Sequence, residues 1–250
     1  MGGNLVPAMK TVKGQQPQRP SRRERARATQ WRMIKAAYRR FCDQGYAGTT
    51  MAQIADDVGV AVQTVYFAFH TKSALLSRAV DFAVLGEDEP LPPEGQPWYR
   101  AMVAEPDLTG AISHFVDGVG RVTRRVIPIE RAARVAADGD PDTKRVLDLH
   151  EEWRAKGYRA ALEILASKGD LAPGMSLERA TDLLLLLVGS DAYAYLVDDR
   201  EWSHAEWVDW TATFIAEQLF GTSVGSRSVV DVAGPVRDVA RRAKGGPAAR

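Results

Sequence analysis

The chain has 250 residues, 45% of them hydrophobic, so it is long enough to bury one small and one larger core. Its single cysteine, Cys42, excludes an internal disulfide and a cysteine-based zinc site, and is expected to be a packed thiol. The net charge of +1 hides a polar distribution: residues 1–72 hold 12 Lys+Arg and 4 Asp+Glu, a balance of +8, and the remainder holds 21 and 28, a balance of −7. A basic N-terminal part suits a polyanionic partner such as nucleic acid.

Two helices are predicted in the basic part of the chain. The first covers Trp31–Gln44. The second begins at Met51, because Thr50 and Gln53 form a capping box, and it ends at Gly59, where a left-handed residue closes a helix. Each helix carries one apolar face at helical spacing: Ile34, Ala37, Tyr38 and Phe41 on the first, and Met51, Ile54, Ala55 and Val58 on the second.

A third short helix is predicted over Ala61–Phe69, so the three together have the arrangement of a helix-turn-helix DNA reader. A long spaced pattern running through these helices resembles that of the TetR family of one-component bacterial regulators, over about a fifth of the chain. The matching residues are Phe41, Gly45, Tyr46, Thr49, Thr50, Ile54, Ala55, Gly59, Val60, Thr64, Tyr66, Phe69, Lys72, Leu75 and Leu76.

The resemblance implies roles for the reader's polar residues. In TetR-like proteins the third helix enters the major groove, which implies that Gln63 and Thr64 face base edges. It also implies that Tyr66 and Lys72 grip phosphates, whereas helical periodicity alone would bury Tyr66. Thr50 is a further candidate for a phosphate contact, although its capping role would be sufficient by itself.

The basic stretch before the reader contributes Arg22 and Arg23 to the expected DNA contacts. The alternative is that they form the solvated face of a helix start, although the helix dipole disfavours positive charge at that position. The family pattern usually has a capping Ser where this chain has Ala61, so the operator sequence cannot be inherited from the resemblance.

The whole chain is predicted to be all-α, with no convincing strand. We expect a disordered arm at 1–20, the reader at 21–72, a helical regulatory domain at 73–221 and a disordered tail at 222–250. The regulatory domain is expected to contain a connecting helix, an acidic proline-rich loop and further helices. These segments are Ser73–Leu85, the loop Gly86–Pro97, stripes along Leu108–Val126 and Val146–Ile164, a short helix at Glu130–Ala137, and helices at Leu177–Val197 and around Trp207–Leu219.

The last two predicted helices indicate self-association. The helix at Leu177–Val197 is apolar nearly all round, and the last helix has two apolar stripes, so one face would cover the core and another a second subunit. A symmetric four-helix bundle follows, and two-fold symmetry predicts a near-palindromic operator. Packing of the aromatic residues inside one chain is the alternative. The predicted dimerisation residues are Leu184, Leu187, Val188, Trp207, Trp210 and Phe214.

The resemblance also implies a small-molecule pocket among the middle helices. Asp191 is the most notable candidate, because a carboxylate in an apolar helix is costly to bury without a partner. The candidate lining residues are Trp98, His114, Trp153, Tyr158, Asp191 and Tyr193, together with Phe82 and Tyr99. The aromatic content favours an apolar or aromatic effector.

We therefore expect a homodimeric, ligand-responsive repressor that binds double-stranded DNA. The alternatives are a ligand-independent architectural DNA-binding protein and a transcriptional activator of the same fold. No catalytic site, metal site or cofactor is predicted. The nearest candidate is His150 in HEEWR, and it lacks the second histidine that a metalloprotease helix needs to bind zinc. The longest apolar run, Leu183–Val188, is far shorter than a membrane span and no signal peptide is evident, so a cytoplasmic protein with no membrane partner is expected.

Overall fold

The computed structural model describes residues 21–86 and 92–222, and every regular element in these two ranges is helical. The predicted arm at 1–20, residues 223–250 of the predicted tail and residues 87–91 of the predicted loop lie outside the described residues. The all-α prediction with an N-terminal helix-turn-helix domain is confirmed. The helices are α1 (Arg22–Gly48), α2 (Met51–Val58), α3 (Val62–Phe69), α4 (Lys72–Leu85), α5 (Pro97–Ala104), α6 (Leu108–Ala137), α7 (Pro141–Ala166), α8 (Leu177–Leu187), α9 (Ser190–Tyr193) and α10 (His204–Phe220).

The second helix of the reader begins and ends where its local sequence predicts. Thr50 is its N-cap: the Gln53 backbone N–H donates to Thr50 Oγ1 over 3.2 Å, and the Thr50 N–H donates to Gln53 Oε1 over 2.8 Å. Gly59 ends the helix with φ +72°, a left-handed conformation that costs other residues strain. These short-range interactions fix α2 before any tertiary contact is considered.

The first helix is longer than predicted and starts at Arg22 instead of Trp31. Ser21 caps it through a second capping box with Glu24, a signal that the apolar periodicity does not contain. Gly45, with φ +74°, breaks the regular helix near its predicted end. Half-buried Cys42 lies just before this break, and burial raises the pKa of its thiol to about 11, so the thiol is packed and unreactive.

Helix α6 joins the two hydrophobic cores of the molecule. The first core is built by α1, α2, α3 and most of α4, and it also receives Ile129 and Ala133 from α6. The second core lies among α5, α6, α7, α8 and α10, with Trp207 and Tyr193 fully buried in it. Because α6 contributes to both cores and packs against α1 and α4, these two helices attach the reader to the regulatory helices.

Two of the predicted helices have different bounds in the structure. The predicted short helix at Glu130–Ala137 is the last part of α6, which continues through Pro128. The predicted helix at Leu177–Val197 is broken into α8 and α9, followed by a π-helical segment at Ala194–Asp199. The break falls at Gly189, where an added Cβ would lie 2.5 Å from the carbonyl oxygen of Leu185.

Helix α7 is rotated relative to its predicted apolar stripe. Leu149 and Trp153 belong to that stripe but are exposed, and the buried residues are Ala161, Leu162 and Leu165. Among the described residues, no single helix is long and apolar enough to cross a membrane, and only the bent pair Leu177–Leu187 and Ser190–Asp199, taken together, meets that criterion.

Candidate nucleic-acid interface and cavity

Helix α3 presents an exposed face that contains the predicted base-reading residues. Val65 and Phe69 are buried against the reader, and this orientation leaves Gln63 and Thr64 exposed at the N-terminal end of the helix. Tyr66 is 50% exposed, as the family resemblance implied and as periodicity alone did not. No side chain caps α3 at Ala61, so backbone N–H groups at this terminus are available to an anion.

Phe67 is a surface residue of α3 that sequence reasoning missed. Its side chain is 85% exposed, the largest value among the exposed large hydrophobic residues of the described chain. A sequence signal for it existed, because Phe67 does not fit the apolar stripe that contains Val65 and Phe69. An aromatic ring beside Gln63 can contact thymine methyl groups in a major groove.

Thr50 has its donors engaged within the reader. Its backbone N–H and its hydroxyl both lie within hydrogen-bond distance of Gln53 Oε1, at 2.8 and 3.0 Å. A phosphate accepts hydrogen bonds, so Thr50 would have to leave Gln53 to contact one. The amide Nε2 of Gln53 carries two N–H groups at the same corner and is a donor that sequence reasoning did not consider.

Lys72 forms hydrogen bonds to the turn between α1 and α2. Its ammonium donates to the carbonyl oxygens of Tyr46 at 2.9 Å and Thr49 at 3.1 Å, and lies 4.1 Å from the centroid of the Tyr46 ring. Burial lowers the pKa of Lys72, and nearby Asp140 of the regulatory domain opposes that change. A lysine at a helix start therefore has partners inside this chain, and its contact with phosphate stays a prediction.

The predicted arginine contacts lie at the start of α1. Arg22 and Arg23 are exposed in its first turn, the position that the helix dipole disfavours for positive charge. The Glu24 carboxylate in the same turn offsets this, and its capping hydrogen bonds to Ser21 lower its pKa. Residues 21–72 hold 9 Lys+Arg and 4 Asp+Glu, so the described reader has a balance of +5.

A cavity of about 720 Å³ lies between α4, α5, α6 and α7. It includes three of the six predicted ligand residues, Trp98, Trp153 and Tyr158, and also Tyr99. Sequence reasoning missed most of the remaining wall, because these residues come from four helices with no shared motif. Among them are Val84, Phe115, Val119, Val122, Glu130, Arg134, His150 and Arg154.

The other predicted ligand residues lie outside the cavity wall. Asp191 is exposed and pairs with Arg134 over 3.0 Å, because the break at Gly189 turns it toward solvent, so the argument from costly burial was wrong. His114 is exposed, with its Nε2 4.0 Å from a carboxylate oxygen of Glu105. Tyr193 is buried in the second core with its hydroxyl 3.0 Å from His204 Nδ1, and Phe82 is buried in the first core.

The predicted dimerisation residues divide into two groups. Leu184, Val188 and Trp207 are fully buried inside the chain, so their prediction as contacts with a second subunit was wrong. Leu187, Trp210 and Phe214 are partly exposed, and the rings of Trp210 and Phe214 stack with centroids 5.4 Å apart. Trp202 meets Trp210 edge to face at 6.0 Å, and Leu186 on α8 is 68% exposed.

Comparison with known proteins places this reader in a recognised class. Residues 33–79 match the sequence model described as bacterial regulatory proteins, tetR family. The curated protein sequences gave no match to the chain.

Solved structures resemble the whole fold. NalD of Pseudomonas aeruginosa, the secondary repressor of the MexAB-OprM multidrug efflux pump, is 18% identical with a TM-score of 0.59, over 78% of this chain and 98% of that one. A protein described as a TetR-family transcriptional regulator from Rhodococcus is 14% identical with a TM-score of 0.55, over 74% and 94%. One from Mesorhizobium loti is 19% identical with a TM-score of 0.52, over 78% and 98%.

Proposed function

We propose that this DNA-binding transcriptional regulator, whose residues 33–79 match the sequence model of the tetR family, is a homodimeric repressor released from its operator by a small molecule. The exposed face of α3 reads bases, and the basic start of α1 neutralises phosphates. A regulator of transcription acts where the chromosome is, in the bacterial cytoplasm.

The continuity of α4 is the observation that carries the proposed response to a ligand. The helix begins with Lys72, whose ammonium clasps the α1–α2 turn, and its last turns contribute Val80, Val84 and Leu85 to the cavity wall. Its 14 residues span about 20 Å at 1.5 Å per residue. A molecule that displaces the cavity end of α4 therefore displaces the reader, with a coupling free energy of about 1 to 3 kcal/mol in typical cases.

Hydrogen bonds from the regulatory helices hold the C-terminal end of α4. Arg125 of α6 donates to the carbonyl oxygens of Ala83 at 2.9 Å and Val84 at 3.3 Å. Gln96 also donates to the Val84 carbonyl, over 3.2 Å, and accepts a hydrogen bond from the cavity residue Trp98 over 2.8 Å. A ligand that moves the Trp98 ring thus acts on the end of α4.

A second connection runs from α7 to the reader. Asp140 and Thr143, at the start of α7, lie beside the hydroxyl of Tyr46, and burial raises the pKa of that tyrosine. Tyr46 also supplies one of the carbonyl oxygens and the ring that hold Lys72. The reader is therefore connected to the regulatory helices both through the C-terminal end of α4 and through the start of α7.

The proposed dimer face combines the exposed apolar residues of α8 and α10. Trp210 and Phe214 form its stacked centre, Trp202 meets Trp210 edge to face, and α8 contributes the exposed Leu186. Aromatic residues of this kind dominate the binding free energy of protein interfaces. Two-fold pairing through this face would present two α3 helices to successive major grooves, about 34 to 36 Å apart.

Repression is favoured over activation by the likeness to NalD, which is itself a repressor. The same docking mode could also help polymerase, so activation is the second candidate. The architectural alternative needs no cavity between α4 and the middle helices, and the observed one therefore disfavours it.

We expect Gln63→Ala to change which operators are bound instead of weakening binding to all of them. A bidentate amide contact with adenine discriminates between base pairs by about 1 to 3 kcal/mol. The measurement is the affinity of the variant for the parent operator and for its single-base substitutions, at fixed salt. Gln44→Ala, an exposed glutamine of α1 that lies on neither α3 nor the proposed dimer face, is the control and should leave the preference among operators unchanged. If Gln63→Ala keeps the same relative affinities for these operators, Gln63 does not read bases.

A further inference from the structure

We propose that the cavity takes an elongated, uncharged molecule with a largely aromatic body. The proposal rests on the proposed function only for the consequence of binding, since it identifies the chemical class of the effector.

The cavity is long in the direction of α6. Its wall includes Phe115 at one end and Glu130 and Arg134 at the other. Phe115 and Glu130 are 15 positions apart in the sequence, which is about 22 Å along a helix. The volume of about 720 Å³ falls in the range of about 300 to 1,000 Å³ that small-molecule sites occupy. An extended molecule fills such a space better than a compact one.

The Phe115 end is built from aromatic rings in edge-to-face contact. The centroid of Phe115 is 6.4 Å from that of Trp98 and 5.8 Å from that of Tyr158, and Trp98 is 5.6 Å from Tyr99. Trp98 lies here because Gly118 has no side chain: a Cβ at that position would be 2.2 Å from its ring. Such rings pack favourably against another ring inserted between them.

The Glu130 end is charged, and its charged groups are ion-paired, although the buried Nε–H of Arg154 has no hydrogen-bond partner among the described residues. Glu130 accepts a hydrogen bond from Arg134 over 2.8 Å and another from Ser190. Arg154 pairs with Glu151. Asp81 lies 3.3 Å from Arg78.

The hydroxyl and imidazole groups of the wall add no net charge. Burial raises the pKa of Tyr158 to about 12, so its phenol is neutral. Burial also lowers the pKa of His150, against the opposing effect of Asp81, and its Nε2 lies 3.3 Å from the Ser77 hydroxyl. Both side chains remain hydrogen-bonding groups that a neutral polar atom of a ligand can meet.

In the buried part of the cavity a charged ligand would therefore find no charged group of the described chain without an ion-pair partner, and the unpartnered Nε–H of Arg154 offers one hydrogen bond that a neutral acceptor can take. Moving an ion out of water without a new partner is costly, whereas an uncharged aromatic body gains free energy in proportion to the apolar area that it buries. An anion would have to displace Glu151 from Arg154, and toward solvent it would meet Glu94, Asp148 and Glu151, where the cations Lys144 and Lys156 already face Asp148 and Glu152. A cation would find the carboxylate of Glu130 occupied.

The test compares three probes that share one elongated aromatic body: para-phenylphenol, para-phenylbenzoate and para-phenylbenzylammonium. Binding to the full-length protein is measured by isothermal titration calorimetry at neutral pH, without DNA. We expect the neutral phenol to bind at least about tenfold more tightly than either ion, a difference of about 1.4 kcal/mol. Equal or tighter binding of an ion, or no binding of the phenol, would overturn the proposal.

Two valine variants on α6 locate the binding. Val122 lines the cavity, and Val122→Trp fills it, so the phenol should lose at least about tenfold in affinity. Val135 is 81% exposed on the same helix, away from the cavity wall, and Val135→Trp should bind the phenol as the parent does. If Val122→Trp does not fold, Ala160→Trp fills the exposed side of the wall instead. If a filling variant folds and still binds the phenol as tightly as the parent, the phenol does not bind in this cavity.

A separate DNA titration distinguishes this proposal from the proposed function. If the phenol binds in the cavity and leaves operator affinity unchanged, the ligand class stands and the proposed release from DNA fails. If an ion binds and releases DNA, the proposed function stands and the ligand class is wrong.

Discussion

Replacing Trp210 and Phe214 together with glutamate should convert the dimer into monomers and lower affinity for a two-half-site operator by roughly a hundredfold or more. The two rings stack with centroids 5.4 Å apart and are only partly covered within one chain. Burying them against a second subunit supplies the apolar area that such an interface needs, and two glutamates would bring unpaired like charges to its centre. Sedimentation equilibrium and operator titration measure the two effects.

The matched control places the same substitutions on exposed apolar residues elsewhere. Val135 and Leu149 are exposed on α6 and α7, so the variant with both changed to glutamate should remain a dimer and bind the operator as the parent does. Circular dichroism checks that both proteins stay helical. If the variant with Trp210 and Phe214 changed to glutamate still sediments as a dimer, the dimer interface lies on another face of the protein.

Lys72→Met should destabilise the reader by about 1 to 2 kcal/mol in the free energy of unfolding. Methionine keeps the length of the side chain but removes the ammonium that donates to the Tyr46 and Thr49 carbonyl oxygens. Those carbonyl oxygens would then depend on water at a half-buried turn. Urea unfolding of the full chain, followed by near-ultraviolet circular dichroism, measures the change.

The same variant distinguishes two roles of Lys72, hydrogen bonding to the α1–α2 turn and contact with a DNA phosphate. If Lys72 acts mainly on phosphate, unfolding is unchanged and the slope of log affinity against log salt falls by about 0.9. If Lys72 mainly holds the α1–α2 turn through its hydrogen bonds, the free energy of unfolding falls and the salt slope of the folded protein stays the same. Lys156→Met, on an exposed lysine of α7, should alter neither the stability nor the salt slope.

Local signals in the sequence predicted the second helix of the reader accurately. The capping box of Thr50 and Gln53 and the left-handed Gly59 lie within a few residues of the helix ends that they fix. The family pattern also placed Tyr66 at the surface, where periodicity alone buried it.

Predictions that depended on partners far away in the sequence were less accurate. Trp207 was expected in the dimer interface, but Gly120 leaves room for its ring inside the chain: a Cβ at that glycine would be 2.5 Å from it. Asp191 was expected to be buried because Leu177–Val197 reads as one helix, and the break at Gly189 exposes it. The cavity wall combines residues of four helices, so no single periodicity could identify it.

Selection of operators from random duplexes tests the central claim most directly, with the number of bound chains measured by sedimentation. We predict enrichment of a near-palindrome whose half-sites are about one helical turn apart, bound by two chains, with affinity that falls steeply as salt rises. A single asymmetric half-site bound by one chain, or no enrichment even at low salt, would contradict the account.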